Sequence, residues 1–498
     1  MKRLMLSGVA VAMLGLPAAA QEIAQSGNEW FVAGQATIAA RLANQPITGK
    51  AKNVILFTAD GNGVGSNYAI RLFSGQLAGG LGDDYVQPQE TFPNLALVKT
   101  YSTNGQTPDS APTAVAMNAG IKTKNDLINV TDGVAVGDCA AGLTNTVTTF
   151  AELASGMGKS VGVISTARIT HATPAAVYAK SAHRDWENNS QLPEGCTQLD
   201  IAAQLIEQMK SGVIDIALGG GRSHFLPKEV TDAEGKEGAR TDGRNLVEEA
   251  KAAGFEFAEA DTDFMALTMG GNAPVLGLFE PSHMKYEQDR TGEPSLAEMT
   301  KAAITSLAGN ENGFYLNVEG GRVDHANHAG NLHRALVDGK AFADAIAMAM
   351  EMTNPEDTLI IVTADHEHAI SFNGYCGRGT PITGLCMKIN EAGVEHTGEP
   401  ELAADGKPYT VAGYLNGAGS VLVEQADKTF SGTRPADLTN EIAMDPDYLQ
   451  QALIPMSSET HSGEDVALFA RGPWAHLFGG VIEQNVIFHV MNHAVNAE

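Results

Sequence analysis

The chain has 498 residues, with 59 acidic and 32 basic side chains and a formal net charge of −27 at pH 7. Such an acidic surface argues against nucleic acid as a partner that the protein tracks along, because lysine and arginine are the residues that neutralise phosphate backbones. Length alone favours about three domains at roughly 150 residues each, whereas the motifs along the chain favour one large domain with an insertion.

Residues 1–20 have the pattern of a cleaved signal peptide. Lys2 and Arg3 precede an apolar run over residues 4–16, and three alanines at 18–20 complete the pattern. A membrane span needs about 20 apolar residues, so this run is too short to be a membrane anchor. We therefore expect the mature protein, residues 21–498, to be periplasmic or secreted and to have no membrane anchor.

Four cysteines in an exported protein are most simply explained by two disulfides. They are Cys139, Cys196, Cys376 and Cys386. The residues alone leave all three pairings open, and they lack the C-x-x-C spacing of a metal site.

Apolar runs of strand length alternate with helical patterns along the chain. The predicted strands cover residues 53–58, 161–165, 213–218, 274–279, 314–318, 358–363 and 466–470. The predicted helices cover residues 147–157, 201–209, 245–253, 295–307 and 336–352. This alternation predicts an α/β fold with a mainly parallel central sheet flanked by helices on both faces. Residues 372–455 are glycine-rich and loop-like, which predicts a subdomain inserted within the catalytic domain.

Asp109 and Ser110 stand where an apparent strand gives way to a run of small, helix-forming residues. Pro112 suits the first turn of a helix, so both residues should lie near its N-cap, where free N–H groups and the helix dipole favour an anion. Serine and aspartate are also common helix caps, which is the simpler interpretation of this stretch alone. The other candidate residues lead us to predict that Ser110 is a nucleophile.

Metal-binding residue types follow three predicted strands and precede a fourth. They are Asp60, Glu319, Asp324, His328, Asp365, His366 and His461. Each alone is explained as a turn residue or a structural histidine. Because the carboxyl ends of parallel strands meet at one edge of a sheet, their recurrence predicts a shared crevice.

The donor types and spacings predict which metals these residues hold. Asp324 and His328 are four residues apart, so they share a face of one helical turn, and His461 would complete a three-ligand zinc site. Adjacent Asp365 and His366 could hold a second zinc together with Ser110. The oxygen donors Asp60, Thr173 and Glu319 suit magnesium, and Asp60 could bridge two ions.

Two metals about 4 Å apart can stabilise the attacking and the leaving oxygen of a phosphoryl displacement. A serine hydroxyl is a weak nucleophile that metal coordination activates. The planar guanidinium of Arg184 is the candidate that would hold two phosphate oxygens, although a surface ion pair is the simpler interpretation of Arg184 by itself.

In this combination the residues resemble the alkaline phosphatase family, over about residues 53–489. The motifs that carry the resemblance are Asn53–Gly63, Pro108–Ala111, Arg168–Pro174, Val318–His328, Val362–His366 and Glu459–Asp465. The resemblance implies an alkaline-phosphatase-like fold, with residues 372–455 as a crown-like subdomain. It also implies a homodimer that hydrolyses small phosphate monoesters through a phosphoserine intermediate.

The resemblance also implies a role for each candidate residue. Ser110 would be the phosphorylated nucleophile, Arg184 the phosphate clamp and Asp109 the carboxylate that orients it. The implied zinc sites are Asp324, His328 and His461, and then Asp60, Asp365, His366 and Ser110. The implied magnesium site is Asp60, Thr173 and Glu319.

At two positions beside the implied ligands, family members differ. This chain has His171 and His325 there, as animal members do, whereas some bacterial members have aspartate and lysine. The magnesium affinity and the pH optimum therefore stay open. The resemblance further implies the disulfides Cys139–Cys196 and Cys376–Cys386. It leaves open a calcium site of animal members, because the spacing after Glu280 departs from theirs.

The same residues also fit other functions. The nearest is a phosphodiesterase or nucleotide pyrophosphatase of the same superfamily, which favours threonine as the nucleophile. A non-catalytic phosphate-binding or metal-binding protein is a second alternative. A sulfatase is disfavoured because its C/S-x-P-x-R motif is missing around Ser110, where Thr113 and Ala114 follow Pro112.

Overall fold

The computed structural model describes residues 23–271 and 273–497. The predicted signal peptide lies outside the described residues and stays a prediction. The described chain divides into two units, with the boundary between Gln45 and Pro46. The first unit contains helix α1, Glu29–Ala43, which begins after its N-cap Asn28.

Among the described residues, the second unit contains the remaining helices and all the strands. The helices are α2 Val64–Leu77, α3 Ser110–Ala119, α4 Cys139–Thr144, α5 Phe150–Gly156, α6 Ala172–Tyr178, α7 Ile201–Lys210, α8 Leu246–Ala252, α9 Asp261–Ala266, α10 Leu296–Leu307, α11 Arg322–His328, α12 Leu332–Met352, α13 Asn440–Ala443 and α14 Val486–Asn496. None of the helices over the described residues is both long enough and apolar enough to cross a membrane.

The strands fall into one large sheet and several two-stranded ladders. They are β1 Asn53–Ala59, β2 Asn94–Lys99, β3 Ser160–Arg168, β4 Ile216–Gly220, β5 Glu256–Ala258, β6 Val275–Leu278, β7 Phe314–Gly320, β8 Thr358–Ala364, β9 Glu367–His368, β10 Ile370–Phe372, β11 Ala412–Tyr414, β12 Asn416–Gly417, β13 Val423–Glu424, β14 Phe430–Ser431, β15 Ile454–Pro455, β16 His461–Ser462, β17 Val466–Arg471 and β18 Gly480–Glu483.

The central sheet has ten strands in the order β18-β2-β17-β8-β1-β7-β3-β4-β6-β5. Strand β17 runs antiparallel to both of its neighbours, whereas the other neighbouring pairs are parallel. The predicted α/β fold with a mainly parallel sheet is confirmed.

Apolar cores cover the central sheet on both faces. Along β1, Val54 and Leu56 pack into one core together with residues of α3, α6 and α7. The alternate residues Ile55 and Phe57 pack into a second core with residues of α10 and α12. Successive side chains of a strand point to opposite faces, so a strand buried on both sides is apolar throughout.

The predicted element order needs correction and addition at several points. Among the described residues no strand directly precedes Asp109, because β2 ends at Lys99 and residues 100–109 form a loop. Helix α2 and strand β2 were not predicted at all. In β2, exposed Leu95 and Leu97 alternate with buried Ala96 and Val98, so β2 lacks the continuous apolar run that marks the inner strands.

The segment 372–455 contains small ladders, including the β12–β15 and β13–β14 pairs, and the short helix α13. Its status as a separate crown-like subdomain stays a prediction. Both disulfide pairings implied by the resemblance are present. Cys139 joins Cys196 with a Cα–Cα distance of 5.8 Å, and Cys376 joins Cys386 with a distance of 4.9 Å.

Candidate active site

Parallel pairing brings the predicted carboxylates to one edge of the sheet. Ala59, the last residue of β1, lies opposite Gly320 in β7 and Ala364 in β8. Asp60 follows β1, Asp365 follows β8, and Glu319 lies near the end of β7, so the three strand ends deliver three carboxylates to the same crevice.

His461 reaches this edge by a different route. It precedes β17, which runs antiparallel to β8, so the start of β17 lies beside the carboxyl end of β8. His461 also begins β16, where it pairs with His368 of β9. A residue before an antiparallel strand thus joins residues that follow parallel strands.

Ser110 is the first residue of α3 and lies within the crevice. Its N-cap is Asp109, whose Oδ1 accepts a hydrogen bond from the Ala111 N–H at 2.8 Å. The Ser110 side chain is 2% exposed. Its Oγ lies 3.4 Å from Asp60 Oδ1 and 3.3 Å from His366 Nε2. The helix-cap interpretation is therefore correct for Asp109. The Ser110 hydroxyl instead faces residues of the types that bind metal ions.

A first donor group forms beside that hydroxyl. His366 Nε2 lies 3.3 Å from Asp60 Oδ1 and 3.3 Å from Asp365 Oδ2. Ligand atoms of these three residues lie within 4.8 Å of one another, and all three side chains are buried. Two carboxylates, one imidazole and a hydroxyl are a donor set that suits zinc.

A second donor group surrounds Asp324. Its Oδ1 lies 3.3 Å from His328 Nε2, 3.2 Å from His461 Nε2 and 2.9 Å from His368 Nε2. Burial lowers the pKa of His328 and His461. Neutral imidazoles keep a lone pair free, which is the form that binds a metal.

His368 and Glu459 also belong to this group, although they were not predicted as site residues from the sequence. His368 is buried and its Nδ1 lies 2.5 Å from Glu459 Oε2. Although burial lowers the pKa of His368, its hydrogen bonds with Asp324 and Glu459 outweigh that effect and raise the pKa to about 10. The available signal was the spacing of His366 and His368, two residues apart.

A third donor group lies at the far side of Asp60. Asp60, His171 and Glu319 offer ligand atoms within 4.8 Å of one another. Glu319 Oε2 accepts a hydrogen bond from Ser165 Oγ. Within the described part of the chain, Glu319 Oε1, Thr173 Oγ1 and His171 Nδ1 are buried without a hydrogen-bond partner. His171, predicted to stand beside the ligands, is thus itself within reach of them.

The buried carboxylates need a positive partner. Burial, reinforced by repulsion from Asp324, raises the pKa of Asp60 to about 8. Burial and the charge of Asp60 raise the pKa of Asp365 to about 6, and the same two effects raise the pKa of Glu319 well above its usual value. For Asp324 burial acts in the same direction, but hydrogen bonds from His368 and His461 prevail and lower the pKa. Bound cations would relieve this repulsion.

Arg184 is held at two points rather than lying on the surface. Its Nη1 lies 3.4 Å from Asp109 Oδ1, and its Nη2 lies 3.0 Å from His171 Nε2. Its side chain is 15% exposed. His325 lies beyond His171, at a ring-centroid distance of 5.5 Å, and its ring is 3.9 Å from that of His283.

Known proteins resemble this chain over most of its length. The family model described as alkaline phosphatase matches residues 51–497. The tissue-nonspecific alkaline phosphatase isozyme of Gallus gallus is 41% identical over 461 residues, which are 89% of this chain and 84% of that protein. An alkaline phosphatase of Gadus morhua is 40% identical over 482 residues, 94% of this chain and 96% of that protein.

Solved structures show the same fold at lower identity. An alkaline phosphatase from the Antarctic bacterium TAB5 matches with a TM-score of 0.60 at 24% identity, covering 91% of this chain and 99% of that one. The Thermus thermophilus enzyme matches with a TM-score of 0.62 at 21% identity, covering 92% and 94%. With the family model spanning the sheet and every donor group described above, this chain belongs to the alkaline phosphatase family.

Proposed function

We propose that this chain hydrolyses phosphate monoesters by transferring the phosphoryl group to Ser110 Oγ. The observation that carries the proposal is the position of this hydroxyl, 3.4 Å from Asp60 Oδ1 and 3.3 Å from His366 Nε2 in a cluster of buried donors. A bare serine hydroxyl is a weak nucleophile, and a purely structural serine would not need such neighbours.

Three ions fit the donor groups. One zinc would be held by Asp324, His328 and His461, and a second by Asp60, Asp365, His366 and Ser110. Magnesium would be held by Asp60, Thr173 and Glu319, because the buried Thr173 Oγ1 and Glu319 Oε1 have no hydrogen-bond partner in the described residues. When bound, such ions supply Lewis-acid activation and neutralise developing negative charge.

The side chains of this chain carry the remaining steps. Arg184 would hold two phosphoryl oxygens with its planar fork, oriented by Asp109 at 3.4 Å. Ser110 Oγ attacks phosphorus and gives up its proton, the bond between phosphorus and the ester oxygen breaks, and the leaving oxygen takes up one proton to depart as the alcohol. Water then attacks the phosphoserine, which releases inorganic phosphate and restores the hydroxyl.

We also propose that the protein is periplasmic or secreted and works as a homodimer. Two disulfides support an oxidising compartment. Exposed apolar side chains of the 372–455 segment, such as Leu415, Leu453 and Ile454, support a protein interface there. The same exported domain would cover residues 21–498.

The test is a coloured phosphomonoester assay on purified protein before chelation, after chelation, and after zinc plus magnesium are restored. We expect activity to be lost and regained, with slower turnover of the matching diester. Ser110→Ala should abolish acid-stable phosphate labelling and most turnover. Stoichiometric labelling of Ser110→Ala, or faster turnover of the diester, would contradict the proposal.

A further inference from the structure

Glu367 is a buried carboxylate that the proposed mechanism does not use. It lies between His366 and His368 in sequence and is 5% exposed. It belongs to β9, whereas the metal-ligand candidate Asp60 belongs to the loop after β1. A buried carboxylate is costly unless hydrogen bonds or charges compensate it, so its partners indicate why it is there.

Those partners lie at the N-terminus of α2. The Gly65 N–H donates to Glu367 Oε2 at 3.0 Å, and Ser66 Oγ donates to Oε1 at 2.8 Å. The N-cap residue of α2 is Gly63, which has no side chain to accept these hydrogen bonds. Glu367 therefore supplies, from another strand, the negative charge and acceptors that a helix N-terminus favours.

The loop between Asp60 and α2 is thereby fixed at both ends. At its start, the Gly61 N–H donates to Asp365 Oδ1 at 3.0 Å. At its end, Gly63 lies so close to Glu367 that a Cβ on Gly63 would be 2.2 Å from Oε2. The loop that carries Asp60 is therefore pressed against the segment that carries Asp365 and His366.

We propose that Glu367 is a positioning residue, which holds the Asp60 loop and α2 at the distance from His366 that the shared metal site requires. The proposal rests on the proposed function and adds a residue that touches neither substrate nor metal. Groups that orient ligands typically change metal affinity by about 10–100-fold when they are removed. A helix cap without this role would change stability alone.

The experiment compares Glu367→Ala and Glu367→Gln with Glu298→Ala. Glu298 is a suitable control because its carboxylate also accepts hydrogen bonds at a helix N-terminus, from the Ser295 N–H at 2.8 Å, but in α10, away from the donor groups. The measurements are zinc affinity against a chromophoric chelator, thermal unfolding, and kcat and KM for a coloured phosphomonoester at saturating zinc and magnesium.

We expect Glu367→Ala to weaken zinc binding by about 10–100-fold and to lower kcat more than it raises KM. Glu367→Gln keeps the shape of the side chain and one acceptor oxygen. Its zinc affinity and its kcat should therefore lie between those of Glu367→Ala and wild type. Glu298→Ala should lose stability while keeping zinc affinity and kcat. If Glu367→Ala fails to fold, Glu367→Gln alone tests the positioning role. The proposal then requires that Glu367→Gln loses part of its zinc affinity.

Unchanged zinc affinity and kcat in the Glu367 variants, with a stability loss like that of Glu298→Ala, would overturn the positioning role. Failure of the proposed function looks different. In that case the wild-type protein binds zinc without turning over the phosphomonoester, and the zinc affinities still decide the role of Glu367.

Discussion

Arg184 combines two contacts that lysine could not reproduce. One nitrogen of its guanidinium faces Asp109 and another faces His171, at 3.4 and 3.0 Å. A planar group fixed in this way presents its donors in a set direction, whereas a lysine ammonium is a single flexible point charge. Because the side chain is mostly buried, solvent does not screen this difference as it would at the surface.

We predict that Arg184→Lys lowers kcat/KM for a phosphomonoester by about 10–100-fold, since a charged hydrogen bond contributes about 1.5–3 kcal/mol. Inhibition by inorganic phosphate should weaken in the same variant, and a steady-state titration measures both. Arg334→Lys is the control, because Arg334 pairs with exposed Asp289 and Asp447. Unchanged phosphate inhibition in Arg184→Lys would rule out its role as a clamp.

Asp338 on α12 is a second informative residue, because it is buried outside the donor groups. Burial raises its pKa to about 8, although Arg322 and the Glu287 N–H, which donates to Oδ2 at 3.2 Å, act in the opposite direction. The native state therefore keeps a proton on this carboxyl that the unfolded chain releases near pH 4. The contribution of Asp338 to the free energy of unfolding is therefore fully present below about pH 4. It is lost as the pH rises to about 8.

Asp338→Asn should remove that pH dependence, because an amide does not ionise. Relative to wild type, we expect the variant to gain stability steadily between about pH 4 and pH 8. Thermal unfolding across this range measures the difference. Asp344→Asn provides the control on the same helix, since Asp344 is exposed and pairs with Lys340. A constant difference between Asp338→Asn and wild type would refute the assignment.

Helix α3 ties the nucleophile to its surroundings through Asp109. One carboxylate oxygen accepts from the Ala111 N–H and the other from the Asp126 N–H, each at 2.8 Å, while Arg184 lies nearby. Asp109 is thus both the N-cap of α3 and the partner of the arginine. The two roles can be separated, because asparagine retains the cap acceptor without the charge.

We predict that both Asp109→Asn and Asp109→Ala lower kcat/KM. Asp109→Asn keeps the cap acceptor and gives up only the acceptor for the Asp126 N–H, so it should lose less stability than Asp109→Ala, which also loses about 1 kcal/mol for the cap. Urea unfolding and the phosphomonoester assay measure the two effects. Asp138→Ala removes the N-cap of α4, where Asp138 accepts from the Ala141 N–H at 2.9 Å, and should affect stability without affecting activity. Equal kcat/KM for Asp109→Asn and wild type would contradict the role of Asp109 as the partner of Arg184.

At the level of elements, most strands with apolar side chains on both faces could be predicted from the sequence. Strands β1, β7 and β8 were predicted because their sequences are nearly continuous apolar runs, which fits their burial over almost the whole length of each strand. Strand β2 was missed because its burial alternates, as expected for a strand near the edge of a sheet. The order of strands, and the reversal of β17, depend on pairings between segments far apart in the chain and leave no local pattern.

The same limit applies to the site. Residues that follow strands, such as Asp60 and Asp365, could be predicted because strand ends meet at one edge. His368 and Glu459 were missed, because the spacing of His368 from His366 was the sole local signal and the contact between His368 and Glu459 joins residues 91 positions apart. Glu367 was missed for a similar reason, since its partner Ser66 belongs to a helix that was not predicted.

The whole molecule has a large negative net charge, and several of its acidic side chains are buried together in the active-site crevice. The net charge is −27, and Asp60, Glu319, Asp324 and Asp365 are all buried within one crevice. Without cations, these carboxylates repel one another and oppose folding. The metal sites should therefore matter for the stability of the entire domain and for its activity alike.

We predict that chelation lowers the thermal midpoint, and that Asp60→Asn reverses the order of stabilities. With zinc about 100-fold above its dissociation constant, one site adds about 2.7 kcal/mol, so wild type should unfold at the higher temperature. In chelator at about pH 9, above the raised pKa of Asp60 at about 8, the variant should be the more stable, because one buried charge is gone. Scanning calorimetry of both proteins, with and without metal, measures the crossover. Parallel shifts of the two proteins on chelation would mean that Asp60 does not contribute to metal binding.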